Sequence, residues 1–214
     1  GGTRLAESFS VAALIRNGIT TALPIASLFY RAWGETVEEF DAAADAAEDL
    51  GLRVYLGPAY RTGGQVVDSG GTIRAIYDEA RGLAGLEAAA VFAKRIDGRA
   101  GGRIRAMFAP DRIETCTPTL LSRTAAIASE MNAPVRQHCL QSAIELRLVQ
   151  EQHGVSPIRF LADNNALGPN WLLPHGTHAT PGDMALIAEA GAALVHCPLV
   201  AARHGGMLRS LPRW

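Results

Sequence analysis

The stretch PVRQHCLQSAIELRLVQEQHG, residues 134–154, decides the fold. Its opening run, 134–140, reads as a short buried strand with a histidine, His138, close to its end. A helix follows over 141–153 and stops at His153-Gly154, because glycine takes the left-handed conformation that closes a helix at little steric cost. Strand, polar strand end and helix form one unit, and similar units recur on both sides of it.

Towards the N-terminus, residues 3–17 read as a helix stopped by Asn17-Gly18, and a short strand follows over 19–23. An amphipathic helix over 35–50 ends at Gly51 and leads to a strand over 53–57. A glycine-rich loop, 61–71, is expected to precede a long Ala-rich helix over 72–96, with Gly82 and Gly85 as points of interruption. A turn at 97–102 opens a strand over 103–109 that stops at Pro110. The next helix, 117–131, has Thr117 as its cap and Pro118 at its first position. Towards the C-terminus come a short helix at 157–166, a strand at 171–176, a helix from Thr180-Pro181 to Gly191, and a strand at 192–197 stopped by Pro198. Six strands alternating with helices predict an α/β fold with parallel strands. Six suffice for a doubly wound sheet and make six-eighths of a (β/α)8 barrel. No GxGxxG follows the first strand and no GxxxxGK[ST] occurs, which counts against a nucleotide-binding open sheet.

Composition sets outer limits. The chain has 214 residues, 48% hydrophobic and 19% charged, enough to build a core and too apolar for a disordered chain. A net charge of -1 offers no electrostatic footprint for nucleic acid or an acidic membrane. No run approaches the length of a membrane span, and no signal segment opens the chain. The cysteines Cys116, Cys139 and Cys197 lack CxxC spacing, so free thiols in a cytoplasmic protein are expected. The first residues, Gly1-Gly2-Thr3, lack a methionine, and the expectation is a piece of a longer protein.

Three successive strands end in histidine: His138, His175 and His196. A parallel barrel builds its active site at those strand ends, and imidazole both ligates metals and moves protons near neutral pH. Alternation along the strand turns Cys139 and Cys197 away from the histidine side. It also places Arg136 inside, one layer lower, where a guanidinium calls for a carboxylate that no strand obviously supplies. Ser69-Gly70-Gly71-Thr72 is expected to open the long helix, either as a flexible start or as an anion cradle. The stretch DGRAGGRIR, 97–105, reads as a solvated turn rather than a nucleic-acid patch. Asp111-Arg112-Ile113-Glu114 follows a strand on the site side, to contact substrate or to pair internally. His178 faces the same mouth, and His153 and His204 read as helix-end and loop residues.

These residues, taken in order, resemble the amidohydrolase superfamily, in its branch of metal-dependent nucleobase and triazine deaminases and chlorohydrolases. LIRNGITT, 14–21, is similar to that family's entry to strand two, and MFAP, 107–110, to its strand four. PVRQHCLQSAIE, 134–145, resembles its strand-five motif, HxxE with a second Glu four residues on. Pro174-His175-Gly176 and Val195-His196-Cys197-Pro198 resemble the histidine ends of strands six and seven. The resemblance implies an α/β chain forming a partial (β/α)8 TIM barrel, about strands 2 to 7, without strands 1 and 8 and the family's β-sandwich. Residues 1–214 would then be an incomplete catalytic domain.

The family holds one or two divalent metals, the mononuclear members through HxH on strand one, His on strand five and Asp on strand eight. Carried over, His138 is the metal ligand, and His175 bonds the attacking water or the substrate and is the first candidate to move the proton. His196 lines the substrate site. The implied cofactor is one divalent metal, zinc ahead of iron. A metal-bound water attacks the ring carbon, and a carboxylate normally relays the proton.

The sequence departs from the pattern at that carboxylate, which is Gln141: an amide orients a water but cannot shuttle a proton. Glu145 matches the second Glu, one helical turn farther on. After Pro198 the chain has Leu199-Val200-Ala201-Ala202-Arg203 where the family often has Ser-Asn, and Arg203 becomes the candidate contact for an anionic or carbonyl-bearing substrate. No HxH occurs, and no Asp follows residue 198, so the piece alone is expected to be inactive. The implied function is hydrolysis of a C–N bond other than a peptide bond, by deamination of a nucleobase-like or other nitrogen heterocycle. The alternatives are a catalytically inactive barrel serving as a binding or structural subunit, and a metal-free enzyme holding phosphate at Gly70-Gly71. The expected partner is a small heterocycle, with no nucleic acid and no membrane, and with a homo-oligomer open for the full-length protein.

Overall fold

A computed structural model of the chain describes residues 2–25 and 35–203, and most of its helices begin or end where the sequence supplies a cap. In chain order the elements are α1 (Gly2–Arg16), β1 (Thr21–Ala22), α2 (Val37–Leu50), β2 (Arg53–Leu56), β3 (Ala59–Tyr60), β4 (Gly63–Val67), β5 (Ile73–Tyr77) and α3 (Glu79–Ile96). They continue with β6 (Ile104–Ala106), β7 (Ala109–Pro110), α4 (Pro118–Glu130), β8 (Val135–Arg136) and α5 (Ala143–His153). The last are α6 (Pro157–Asp163), β9 (Trp171–Pro174), α7 (Pro181–Ala190), β10 (Ala193–Val195) and α8 (Pro198–Arg203). The chain falls into two compact units, one of Gly1–Tyr60 with Ala84–Ala109, the other of Arg61–Leu83 with Pro110–Trp214.

The first unit carries a parallel sheet in the order β1-β2-β6, with Val54 opposite Ile104 and Leu56 opposite Ala106. Parallel neighbours need a crossover between them, and the helices supply it. Helix α2 starts where Glu39 reaches back to the Thr36 N–H at 3.2 Å, and ends at Gly51 with φ 83°. Its buried face is mostly alanine, which lets α1 pack along it, and its Phe40 meets Phe92 of α3 edge-on at 6.1 Å. Arg99 pairs with Asp45 and Glu48, and Arg105 with Asp97, so two arginines of the 97–105 turn are ion-paired within this unit.

The second unit carries the other parallel sheet, β10-β9-β8, with Val135 opposite Trp171 and Leu172 opposite Ala193. Trp171 and Leu173 are buried, as are Leu120 and Leu121 of α4, Leu148 of α5 and Leu161 of α6. Thr117, Ser142, Ser156 and Thr180 each accept a backbone N–H at the start of α4, α5, α6 and α7. The α/β alternation and the parallel pairing agree with the sequence reading. The six expected strands all occur, each shorter than predicted.

The largest correction lies at residues 61–78. The predicted loop and the start of the long helix are instead an antiparallel hairpin, β4 with β5, and α3 begins only at Glu79. Asp68 makes the turn, its carboxylate accepting the Gly70 and Thr72 N–H groups at 2.9 Å each. Ser69-Gly70-Gly71-Thr72 is therefore a hairpin turn, which removes the anion cradle and the phosphate site at Gly70-Gly71. Nor do Gly82 and Gly85 interrupt α3. A side chain at Gly82 would overlap Thr62, and one at Gly85 would press on Tyr60, so both are places of close approach. A further helix, α8, follows the last strand from Pro198. Among the described residues no helix is long and apolar enough to cross a membrane.

At Gly57 an added Cβ would overlap the Met107 carbonyl oxygen, a backbone atom that cannot swing aside. Gly57→Ala is expected to lower stability by about 3 kcal/mol, read by urea denaturation. A change below about 0.5 kcal/mol would show that the backbone there yields freely.

Candidate functional site

The site lies wholly in the second unit, where β8 leaves its sheet. Gln137 still donates its N–H to Leu172 at 3.1 Å, but His138 donates to the Asp111 carbonyl at 3.1 Å instead. Cys139 then returns to Pro174, also at 3.1 Å. The same Asp111 carbonyl lies 2.9 Å from His138 Nδ1, and the Asp111 carboxylate stands 3.5 Å from that nitrogen. Backbone and ring of His138 are thus tied to one residue. An Nδ1–H given to this carbonyl makes Nε2 the lone-pair nitrogen, the tautomer that binds a metal through Nε2.

Asp111 is almost fully buried and pairs with Arg61 at 3.0 Å. Burial works to raise its pKa, but His138, Arg112 and Arg61 together outweigh burial and hold it below the ordinary value. The side chains of Asp111 and Arg112 therefore point to other partners rather than to each other. Arg112 reaches across to Gln141, its Nη1 donating to Oε1 at 2.7 Å.

Glu145 sits in the first turn of α5 and is fully buried. Its two carboxylate oxygens accept the N–H groups of Leu140, at 2.6 Å, and Gln141, at 3.0 Å. The clamp falls on a strained point, because Leu140 takes a φ of 52°. Glu114 lies nearby, accepting from Gln65 at 2.8 Å. Burial pushes both carboxyls up, Glu145 to about 8 with the charge of Glu114 adding to the effect.

His175 ends β9 with a φ of 86°, its N–H held by the Val195 carbonyl at 2.9 Å. Its ring stacks on that of His138, centroids 5.5 Å apart and planes 16° from parallel. Next to it, Gly176 donates to Cys139 at 2.9 Å and His178 to Leu140 at 3.0 Å, so the two strand ends are laced together. Of the other predicted residues, His196 is exposed just past β10, and Arg203 is exposed at the end of α8. His204 lies outside the described residues. Cys116 and Cys139 are buried, and burial raises both thiols far above their usual range, consistent with small core residues.

The sequence reading missed Arg61 altogether, and it did not see Glu145 as a clamp. Among the described residues no group of three or more His, Cys, Asp or Glu is placed to hold a metal. The bonds to Asp111 orient Nε2 of His138 as a lone-pair nitrogen.

The Amidohydrolase family model matches residues 8–208. The 5-methylthioadenosine/S-adenosylhomocysteine deaminase of Halobacterium salinarum is 29% identical over 198 residues, covering 92% of this chain and 41% of that protein. The enzyme of the same description from Symbiobacterium thermophilum is 30% identical over 189 residues, covering 87% and 37%. Among solved structures, a mutant atrazine chlorohydrolase from Arthrobacter aurescens, complexed with zinc and atraton, matches with a TM-score of 0.75 at 21% identity, over 91% of this chain and 42% of that one. E. coli guanine deaminase matches with a TM-score of 0.74 at 18% identity, over 95% and 44%. These structural likenesses establish the fold. The chain spans about two fifths of the length of the curated relatives it matches.

The buried carboxyl of Glu145 carries a pH signature. Its pKa is about 8 when folded against a reference of 4.5, so between those values the folded chain binds the proton that the unfolded chain has lost. Stability is therefore greatest below the lower value and falls as pH rises through the upper one. The urea midpoint of the wild type is expected to drop from about pH 5 to about pH 8, and that of Glu145→Gln to drop less. Equal slopes would refute the assignment.

Proposed function

This chain belongs to the amidohydrolase family, and from that premise we propose that residues 1–214 form an incomplete (β/α)8 catalytic domain, about strands 2 to 7 of the barrel. The full-length protein is then a metal-dependent hydrolase that removes the amino group from a nitrogen heterocycle. The relatives named as deaminases of 5-methylthioadenosine and S-adenosylhomocysteine make adenosine-type nucleosides the first substrates to try. The observation that supports the reading is the double tie of His138 to Asp111, which leaves Nε2 as the lone-pair nitrogen at a strand end.

In this reading His138 would hold one divalent metal, with Asp111 orienting the ring. Zinc comes before iron because the similar atrazine chlorohydrolase structure contains it. Such a metal supplies a water with a pKa brought near neutrality. His175, stacked on His138, would hold or pass the proton that the departing amine takes up. Gln141 is neutral and takes no proton. His196 and Arg203 contact the substrate, Arg203 through an anionic or carbonyl group.

The Arg112–Gln141 bond favours a second reading, a barrel of this lineage without catalysis that serves as a binding subunit, because the position of the usual proton carrier holds a tethered amide. Metal analysis of the full-length protein separates the two. Elemental mass spectrometry beside His138→Ala is expected to give about one zinc or iron per chain in the wild type and loss of that metal in the variant. Ammonia release from 5-methylthioadenosine should fall with it. Metal without ammonia release across a panel of heterocycles would favour the binding subunit, and no metal in either protein would overturn the hydrolase.

A further inference from the structure

We infer that Arg61 is a positioning residue for His138, acting through the Asp111 carboxylate to set how firmly that histidine holds a divalent metal, an inference that rests on the hydrolase reading above. The hydrogen on Nδ1 of His138 has two acceptors within reach, and one residue supplies both. The Asp111 carbonyl stands 2.9 Å away, and the carboxylate Oδ1 3.5 Å. The carbonyl is neutral and fixes the tautomer. The carboxylate is charged, and a negative charge behind an imidazole raises the basicity of the opposite nitrogen, here Nε2. Where Oδ1 stands therefore bears on how well Nε2 binds a cation.

The two oxygens of a carboxylate move together about one soft torsion, so a hold on Oδ2 sets the position of Oδ1. That hold is Arg61, its Nη1 donating to Oδ2 at 3.0 Å. Oδ1 makes no hydrogen bond among the described residues, so Arg61 is what stops the carboxylate from turning away from the ring. Neutralising a buried charge does not by itself explain this geometry. A guanidinium placed for that purpose presents two parallel donors to a carboxylate. Here the contact runs through one nitrogen, and the buried Nε has no acceptor among the described residues. Arg61 grips one oxygen and leaves the other to the histidine.

Arg61 is itself set in place by the next residue. Thr62 is fully buried, and its N–H and its hydroxyl both donate to the Thr115 carbonyl, each at 3.1 Å. The same hydroxyl oxygen accepts the Thr117 N–H at 2.9 Å, and the Thr62 carbonyl accepts the Asp78 N–H at 2.7 Å. The chain at 61–62 is thus fastened to the segment that runs on from Asp111, so both halves of the ion pair are positioned by one short frame. The relay runs from Arg61 to Oδ2, from Oδ1 to Nδ1, and through the ring to Nε2. No part of it requires Arg61 to meet metal or substrate.

Zinc affinity of the full-length protein is measured by competition with a fluorescent chelator, and folding by urea denaturation of the metal-free protein. Arg61→Met, which keeps an apolar stem and removes the charge, is expected to bind zinc about tenfold more weakly than the wild type. Arg61→Lys should recover part of that loss, since it restores a cation without the planar fork. Asp111→Asn should weaken binding by about 10–100-fold, and adding Arg61→Met to it should change nothing further, because the relay is already broken. The double variant removes both buried charges, so it tests the inference even where Arg61→Met alone fails to fold. Equal zinc affinity in the wild type and folded Arg61→Met overturns the positioning role and leaves the hydrolase reading standing. A loss in the double variant beyond that of Asp111→Asn shows Arg61 acting by another route and also overturns it. A wild type that binds no zinc removes the hydrolase reading, and the inference with it.

Discussion

A carboxylate at Asp111, almost wholly cut off from water, is the constraint around which the second unit is arranged. An uncompensated charge at such depth is costly, and breaking a buried pair typically costs about 3–5 kcal/mol. Asp111 answers with Arg61 on one oxygen and the edge of the His138 ring near the other. Its backbone carbonyl adds two contacts to His138. The residue that needs compensation is thus also the one that fixes the histidine. Its buried charge and the orientation of the His138 ring are one problem with one solution.

A second tier of buried polar groups holds the turn that follows. Leu140 and His175 both carry positive φ angles that side chains resist. Each strained residue is pinned by hydrogen bonds. Leu140 has Glu145 on its N–H and His178 on its carbonyl, while His175 is held by Val195 and its neighbour Gly176 by Cys139. Strain concentrated where two parallel strands end, and overdetermined by such bonds, is what a preorganised site requires.

Local signals in the sequence were legible, and long-range ones were not. The caps at Thr117-Pro118, Gly154 and Gly191 act within one turn and could be read directly. Strand positions followed from apolar runs, but strand ends depend on where a neighbour stops pairing, so all six were read too long. The hairpin was missed because glycines at 63–64 and 70–71 masked two short runs rich in β-branched residues, Gln65-Val66-Val67 and Ile73-Arg74-Ala75-Ile76. His138 and His175 were visible as strand-end histidines. Arg61 was not, because its partner Asp111 lies 50 residues away in sequence. The buried acids come from the segment after β7 and from the first turn of α5, not from the strands. Glu145, legible only as the second Glu of the motif, reaches the backbone of the turn.

The amide at 141 follows from the same charge balance. The surroundings already hold three buried acids, Asp111, Glu114 and Glu145, against the cations Arg61 and Arg112. Glu114 and Glu145 already have raised pKa values, first through burial and then through neighbouring negative charge. A fourth carboxylate beside Arg112 would divide one guanidinium among too many acids and drive those two still further up. Glutamine meets the hydrogen-bonding need of Arg112 with a carbonyl and adds no charge. The departure from the family's HxxE pattern is therefore coupled to the acids around it, whose carboxyls a glutamate at 141 would push further up.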